Sequence, residues 1–353
     1  MSTLESDRFR ILFSARKFAL AFLLFTLSVM PMQAIVLAAT SPAQQSSLVP
    51  KNVVLFYDDY PTRKDPDFQV TREIVRPLVA HLDRSGRATD WMFDSFIFYS
   101  VYLYYDRGPS QTYISSWIRY LFRAGKQASN LDAIVGELKS ELQQETFQLN
   151  VFLSVAVPIE AVEADRIIKN VDKMLDEWNS LNPRHLRLIG FYWGFTEGLR
   201  MGDSRELDRA VPRAVADHLH ARSLKLLLIP SMSQARRYVG EFHSLGFDYV
   251  TVQPNFATKS DGDLSRFELA DQMVTSGNAD GVEFETPLDV KWPGGDMLSN
   301  VNTYFAYAQL YGWNENLMNT YYHGSAISSM WRNSNESYRA AYETIYQFIL
   351  TTQ

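Results

Sequence analysis

Two acidic strand ends lie far apart in this chain. Gly190-Phe191-Tyr192-Trp193-Gly194-Phe195-Thr196-Glu197 and Gly281-Val282-Glu283-Phe284-Glu285-Thr286-Pro287 are apolar, aromatic-rich runs, each closing on a carboxylate where a strand should stop. Two carboxylates facing each other at one mouth are the equipment for glycoside hydrolysis. In that scheme Glu285 attacks the anomeric carbon as nucleophile, and Glu197 protonates the departing glycosidic oxygen as acid/base. Retention of configuration needs the carboxyl groups ~5–5.5 Å apart and inversion ~6.5–9.5 Å, a distinction that lies beyond the sequence.

Parity sharpens the second run. Side chains alternate faces along a strand, so Val282 and Phe284 share one face while Glu283 and Glu285 share the other. With the apolar pair on a surrounding ring of helices, both glutamates point inward. Glu285 lies nearer the mouth, and Glu283 sits a layer deeper, where it can orient its neighbour. Two inward carboxylates repel and lose solvation, so at least one should have a raised pKa or a cationic partner. The competing reading is a buried glutamate paired with an arginine. Glu197 shares parity with Trp193 and Phe195, which gives no inward assignment; its competing reading is a solvated acid on a loop.

The elements that must position these groups alternate strand with helix. Strands are expected at Val53–Tyr57, Ser95–Tyr99, Val151–Val157, Leu186–Trp193, Lys225–Pro230, Tyr249–Gln253, Gly281–Glu285 and Leu317–Tyr322. Most are continuous apolar runs, as parallel strands covered on both sides require. Between them, Ile167, Ile168, Val171, Met174, Leu175, Trp178 and Leu181 trace one helical face, and Tyr338, Ala341, Tyr342, Ile345, Phe348 and Ile349 trace that of a closing helix. Gly86, Gly246, Gly277 and Gly312 stand where helices should end, and Pro77 should kink or restart the first helix.

Roughly eight such units fit a single (β/α)8 TIM-like barrel over residues 51–353. The rival is an open doubly wound sheet. Against it, Phe56-Tyr57-Asp58-Asp59-Tyr60-Pro61 follows the first strand, with no glycine fingerprint for a dinucleotide there and no phosphate-binding loop elsewhere. No cofactor is implied.

Barrel sites form at the C-terminal strand ends. The groups expected to meet sugar there are Glu283, Asp58, Asp59, Tyr192, Gln253, Asn255, Tyr322 and His323, with Trp193, Trp292 and Trp313 as stacking platforms. The Asp58-Asp59 pair invites comparison with metal-dependent carbohydrate deacetylases. Those need a His-x-x-x-His ligand pair; here His218 and His220 are two apart on a helix and so face different ways. No metal is expected. A Gly-x-Ser-x-Gly elbow is absent as well.

Composition narrows the classes further. A net charge of -6 and no basic stripe argue against nucleic acid as a partner. With Cys 0, thiol nucleophiles and cysteine metal sites are excluded, and so are disulfides. Residues 1–39 read as a signal peptide or an N-terminal membrane anchor: Arg8, Arg10, Arg16 and Lys17 precede an apolar run from Phe18 to Ala39, broken at Pro31. Residues 40–50 form a polar linker. The expectation is an exported protein (secreted, periplasmic or cell-surface), touching a membrane only if that anchor is uncleaved.

Four segments together carry a resemblance: Gly190-Phe191-Tyr192-Trp193 with Glu197, Gln253-Pro254-Asn255-Phe256, Gly281-Val282-Glu283-Phe284-Glu285 and Tyr321-Tyr322-His323-Gly324. In this order they resemble the bacterial exported domain of unknown function 4855, from about Val53 to the C-terminus. That resemblance implies secretion and a barrel, and no reaction. A weaker one is to retaining β/α-barrel glycoside hydrolases, with acid/base on the fourth strand and nucleophile on the seventh. Glu197 and Glu285 match that placement, although Thr196, not Asn, precedes Glu197. The resulting expectation is an exported hydrolase of a polysaccharide; the alternative is a non-catalytic glycan-binding or envelope protein on the same scaffold.

Overall fold

Continuous apolar runs become strands with no wet face: Leu149–Val155 and Gly281–Glu285 are buried at every position. The structure, a computed structural model, describes residues 49–58, 69–100, 111–155, 164–194, 209–256, 263–285, 297–315, 317–322 and 324–352. Residues 44–353 form one compact unit. The expected segment 1–39 lies outside the described residues, among which no helix is long and apolar enough to cross a membrane.

The described elements are, in chain order, β1 (Asn52–Asp58), α1 (Arg72–Val79), β2 (Ala80–Leu82), β3 (Ala88–Trp91), β4 (Ser95–Ser100) and α2 (Gln111–Arg119), which runs on as a π turn over Tyr120–Ala124. Then come α3 (Gln127–Leu142), β5 (Leu149–Val155), α4 (Ala164–Leu181), β6 (Leu186–Trp193), α5 (Ala210–His220), β7 (Lys225–Leu228), α6 (Met232–Arg237) and β8 (Tyr249–Val252). The chain finishes with α7 (Ser265–Thr275), β9 (Gly281–Glu285), α8 (Met297–Tyr311), β10 (Asn319–Tyr322), α9 (Gly324–Arg332) and α10 (Glu336–Thr351).

Eight strands close on themselves in the order β1-β10-β9-β8-β7-β6-β5-β4, every neighbouring pair parallel. Closure is decided at β1, where Val53 pairs with Ser95 on one side and Thr320 on the other. The open sheet is thereby excluded, and the fold is a parallel β/α barrel. The fourth strand of the barrel is β6 and the seventh is β9.

The helices lay their apolar stripes on this cylinder, with Ile167, Val171, Met174 and Trp178 of α4 buried and Ala341, Tyr342, Ile345, Phe348 and Ile349 of α10 likewise. One addition to the barrel was not expected, the antiparallel hairpin β2–β3. It explains Gly86, which turns the hairpin at φ +84 instead of ending a helix. Pro77 does not restart α1; the helix stops two residues later and enters β2 directly. The Tyr342 hydroxyl, 3.1 Å from both the Pro77 and Ala80 carbonyls, accepts from the Leu82 N–H at 3.2 Å, satisfying that junction.

First and last segments are stitched at the opposite end from the strand C-termini. Asn52 Nδ2 donates to Thr352 Oγ1 at 2.6 Å, Lys51 Nζ to the Thr352 carbonyl at 3.2 Å, and the Tyr321 hydroxyl to Asn52 Oδ1 at 3.0 Å.

Candidate active site

The two acids of β9 owe their direction to Phe284. Its ring stacks on Phe305 of α8 and on Tyr321 of β10, each with centroids 5.2 Å away, and reaches Phe348 of α10 at 5.2 Å. Phe284 therefore belongs to the layer between barrel and helices. Alternation turns Glu283 and Glu285 to the interior, where each is 1% exposed. Glu283 is in register with Thr320 and Glu285 with Tyr322. The hydroxyls of Thr251 and Thr320, 3.0 Å apart and buried, join β8 to β10 on the same inner face.

Gln253 extends β8 by pairing with Ser231, and its side chain hydrogen-bonds the Glu283 carboxyl. Asn255 holds that glutamine: its Nδ2 donates to Gln253 Oε1 at 2.9 Å, and its Oδ1 accepts from the Met232 N–H at 3.0 Å. The second bond caps α6, whose own N-cap Ser231 makes no side-chain cap. Asn255 can do both because its backbone is left-handed, at φ 59, a region asparagine tolerates. Its amide thus positions Gln253, which in turn positions Glu283.

Glu285 is met by Tyr304 of α8. The phenol donates a hydrogen bond to Glu285 Oε2 and accepts from the Phe256 N–H. Its ring is enclosed by Phe267 at 4.9 Å, Phe284 at 5.8 Å and Phe256 at 6.0 Å. Burial, then the Glu285 charge, pushes the Tyr304 pKa well above its ordinary range, so the phenol keeps its proton and donates. Burial, then the Glu285 charge, likewise pushes Glu283 well above the carboxylate range, with Gln253 opposing more weakly. Glu283 Oε2 has no hydrogen-bond partner among the described residues. The inner face of β9 thus carries a deep carboxyl that favours its proton and an outer one that accepts from a phenol. Such paired environments separate the roles of two acids.

The other expected groups scatter. Tyr192, 2% exposed, lies on the inner face of β6 in register with Ser154 and meets Tyr99 edge-on at 5.6 Å. Trp193 points to the opposite face, 1% exposed, against Phe247 at 5.8 Å; it is core and not a platform. Trp313 is also core, with its indole N–H on Asp271 at 3.3 Å. Tyr322 is partly exposed beside Glu285. Asp58 ends β1 opposite Ser100. Glu197, Asp59, Trp292 and His323 lie outside the described residues. His218 and His220 face apart, one on Asp172 and the other on Asp248, each at 2.7 Å. Among the described residues no group of three His, Asp or Glu side chains is arranged to hold a metal ion.

A family model described as Domain of unknown function (DUF4855) matches residues 52–172 and 166–347, which is nearly the whole barrel. The chain belongs to this family. Among solved structures, the DUF4855 chain is similar to a family 18 chitinase from Crocus vernus (14% identity, 85% of this chain and 99% of that one, TM-score 0.43). It is also similar to a mutant tryptophan synthase α-subunit from Pyrococcus furiosus (11%, 86% and 97%, TM-score 0.40) and to SrfJ from Salmonella typhimurium (8%, 80% and 65%, TM-score 0.44). A comparison with curated proteins gave no match.

In this DUF4855 barrel the group that sequence reasoning missed is Tyr304. A tyrosine among Tyr304-Phe305-Ala306-Tyr307 reads as helix core. The available signal was its place in the helix that follows β9, since a crossover helix packs over the strand it leaves.

Proposed function

We propose that this DUF4855 protein is an exported glycoside hydrolase that cleaves glycosidic bonds in a polysaccharide, with Glu285 as nucleophile and Glu197 as acid/base. One observation carries the reading: Glu285 stands at the C-terminal end of the seventh barrel strand, gripped by the Tyr304 phenol. A nucleophilic carboxylate must be ionised and held still. The phenol holds it, since it stays protonated and sits in an aromatic box that fixes its ring, and the hydrogen bond it donates favours the charged form. Glu283, by keeping its proton, spares Glu285 the repulsion of a second full charge beneath it. As the carbon–oxygen bond to the sugar forms, charge leaves the carboxylate and the Tyr304 bond relaxes, while Glu197 donates a proton to the departing oxygen.

The test is reducing-end release across bacterial polysaccharides by wild type, Glu285→Gln and Glu197→Gln. Each substitution is expected to abolish release and leave the fold intact. Near-native turnover by either would overturn the assignment. A second reading, a glycan-binding protein of the cell envelope, draws on the 1% exposure of Glu285, which leaves little room for an anomeric carbon. In that case wild type retains polysaccharide without releasing reducing ends, and Glu285→Gln lowers stability only.

A further inference from the structure

A groove of about 490 Å³ runs between α2 with its π turn and α4, on the outside of the barrel. From one wall come Ser115, Ser116, Arg119 and Arg123; from the other, Lys173 and Glu177. Among the described lining residues Glu177 is the single acid, and it is paired. Its carboxylate takes Arg123 through Nε at 2.8 Å and Nη2 at 2.7 Å, a two-point bond, and its side chain is 13% exposed. Arg119 and Lys173 have no ion-pair partner among the described residues, and both are exposed. The groove is therefore cationic, in a chain whose net charge is -6. A polyanion repelled by most of this surface would be focused here.

The wall is built, not incidental. Residues 115, 119 and 123 share one helical face, and the π turn that carries the last of them is pinned from inside. Gln127, 3% exposed, donates to the Tyr120 hydroxyl at 3.0 Å and the Gly125 carbonyl at 2.9 Å, and accepts from the Val70 N–H at 2.6 Å. A side chain at Gly125 would collide with the Tyr120 ring, so glycine lets that ring close the turn. π turns of this kind cluster at functional sites. At the groove's upper end Gln111 ties the two walls together, donating to Asn170 Oδ1 at 2.7 Å and accepting from Arg166 Nε at 3.1 Å. Both helices begin on the side of the barrel where the strands end, so Gln111 marks the end of the groove nearer the face that carries Glu285.

We infer that the groove is a binding site for an anionic polysaccharide, its guanidinium and ammonium groups taking carboxylates or phosphates and its two serine hydroxyls taking sugar hydroxyls. The volume suits a few sugar units, within the ~300–1,000 Å³ of ordinary ligand sites. The inference rests on the polysaccharide reading above and narrows the substrate to an acidic polymer, held along the outside while one end reaches the mouth.

The test is affinity electrophoresis and calorimetry on the full-length protein with three probes: polygalacturonate, a phosphomannan, and neutral dextran as control. At least one acidic polymer is expected to bind, more weakly as salt rises from ~50 to ~500 mM, as screening requires. The Arg119→Ala/Lys173→Ala double variant should lower that affinity at least tenfold with an unchanged unfolding midpoint. Binding of polygalacturonate alone identifies carboxylates as the recognised charge, and binding of the phosphate polymer alone identifies phosphates. Failure of both acidic polymers to bind, or equal binding by the double variant, overturns the inference. Binding is read without turnover, so an inactive protein that still binds refutes the hydrolase reading and leaves this one standing.

Discussion

Replacing Glu283 with glutamine exchanges a buried carboxylic acid for an amide of nearly the same shape, and the two differ in how stability responds to pH. Glu283 is 1% exposed and its pKa is pushed well above 4.5 by burial and by the Glu285 charge. The native protein therefore keeps a proton that the unfolded chain releases above about pH 4.3. Because the folded value is the higher one, this group weakens the fold progressively as pH rises from the unfolded value toward the folded one. The slope for one proton is about 1.4 kcal/mol per pH unit. As pH rises above about 5, wild type should lose stability steadily relative to Glu283→Gln, from a starting difference within about 1 kcal/mol at pH 5. Urea unfolding of the two proteins at pH 5, 6 and 7 in one salt measures this directly. A difference that stays flat across the range, or that grows in favour of wild type, would refute the placement of a protonated acid beneath Glu285.

Two other substitutions separate roles that the structure assigns. Tyr304→Phe removes the donor to Glu285 and the acceptor of the Phe256 N–H; without the phenol the carboxylate loses its fixed direction of attack, so turnover should fall roughly ten- to a hundredfold with KM little changed. Steady-state kinetics on the released sugar decides it. Trp193→Phe should lower unfolding free energy by about 1 kcal/mol and leave substrate affinity alone, because the indole packs on Phe247; a rise in KM would show that it meets sugar after all.

Much of the barrel was legible because its strands are short apolar runs buried on both sides, and the inward direction of the β9 acids followed from counting by two from Phe284. The same counting fails on β6. There the register slips between Val151 and Phe152 of β5, whose partners are Leu188 and Gly190, so Ile189 is an extra residue and parity cannot be carried across it. Tyr192 faces inward and Trp193 outward as a result. The hairpin β2–β3 was illegible for another reason: three and four residues, nearly all buried, show no alternation to read. Tyr304 and Asn255 act through contacts distant in sequence, with Glu285 and Met232, which no local pattern encodes.

The bonds from Lys51 and Asn52 to Thr352 set a condition on how this molecule acquires its structure. The first strand finds one neighbour in β4 early, yet its other edge stays open until β10 arrives, and its side-chain partner comes some 300 positions later. A topology closed by contacts of such long separation folds slowly, because the loop-closing entropy is spent before the closing contacts repay it. During synthesis the exposed edge of β1 has nothing to pair with but other chains. That edge is an open template for association until β10 arrives to cover it.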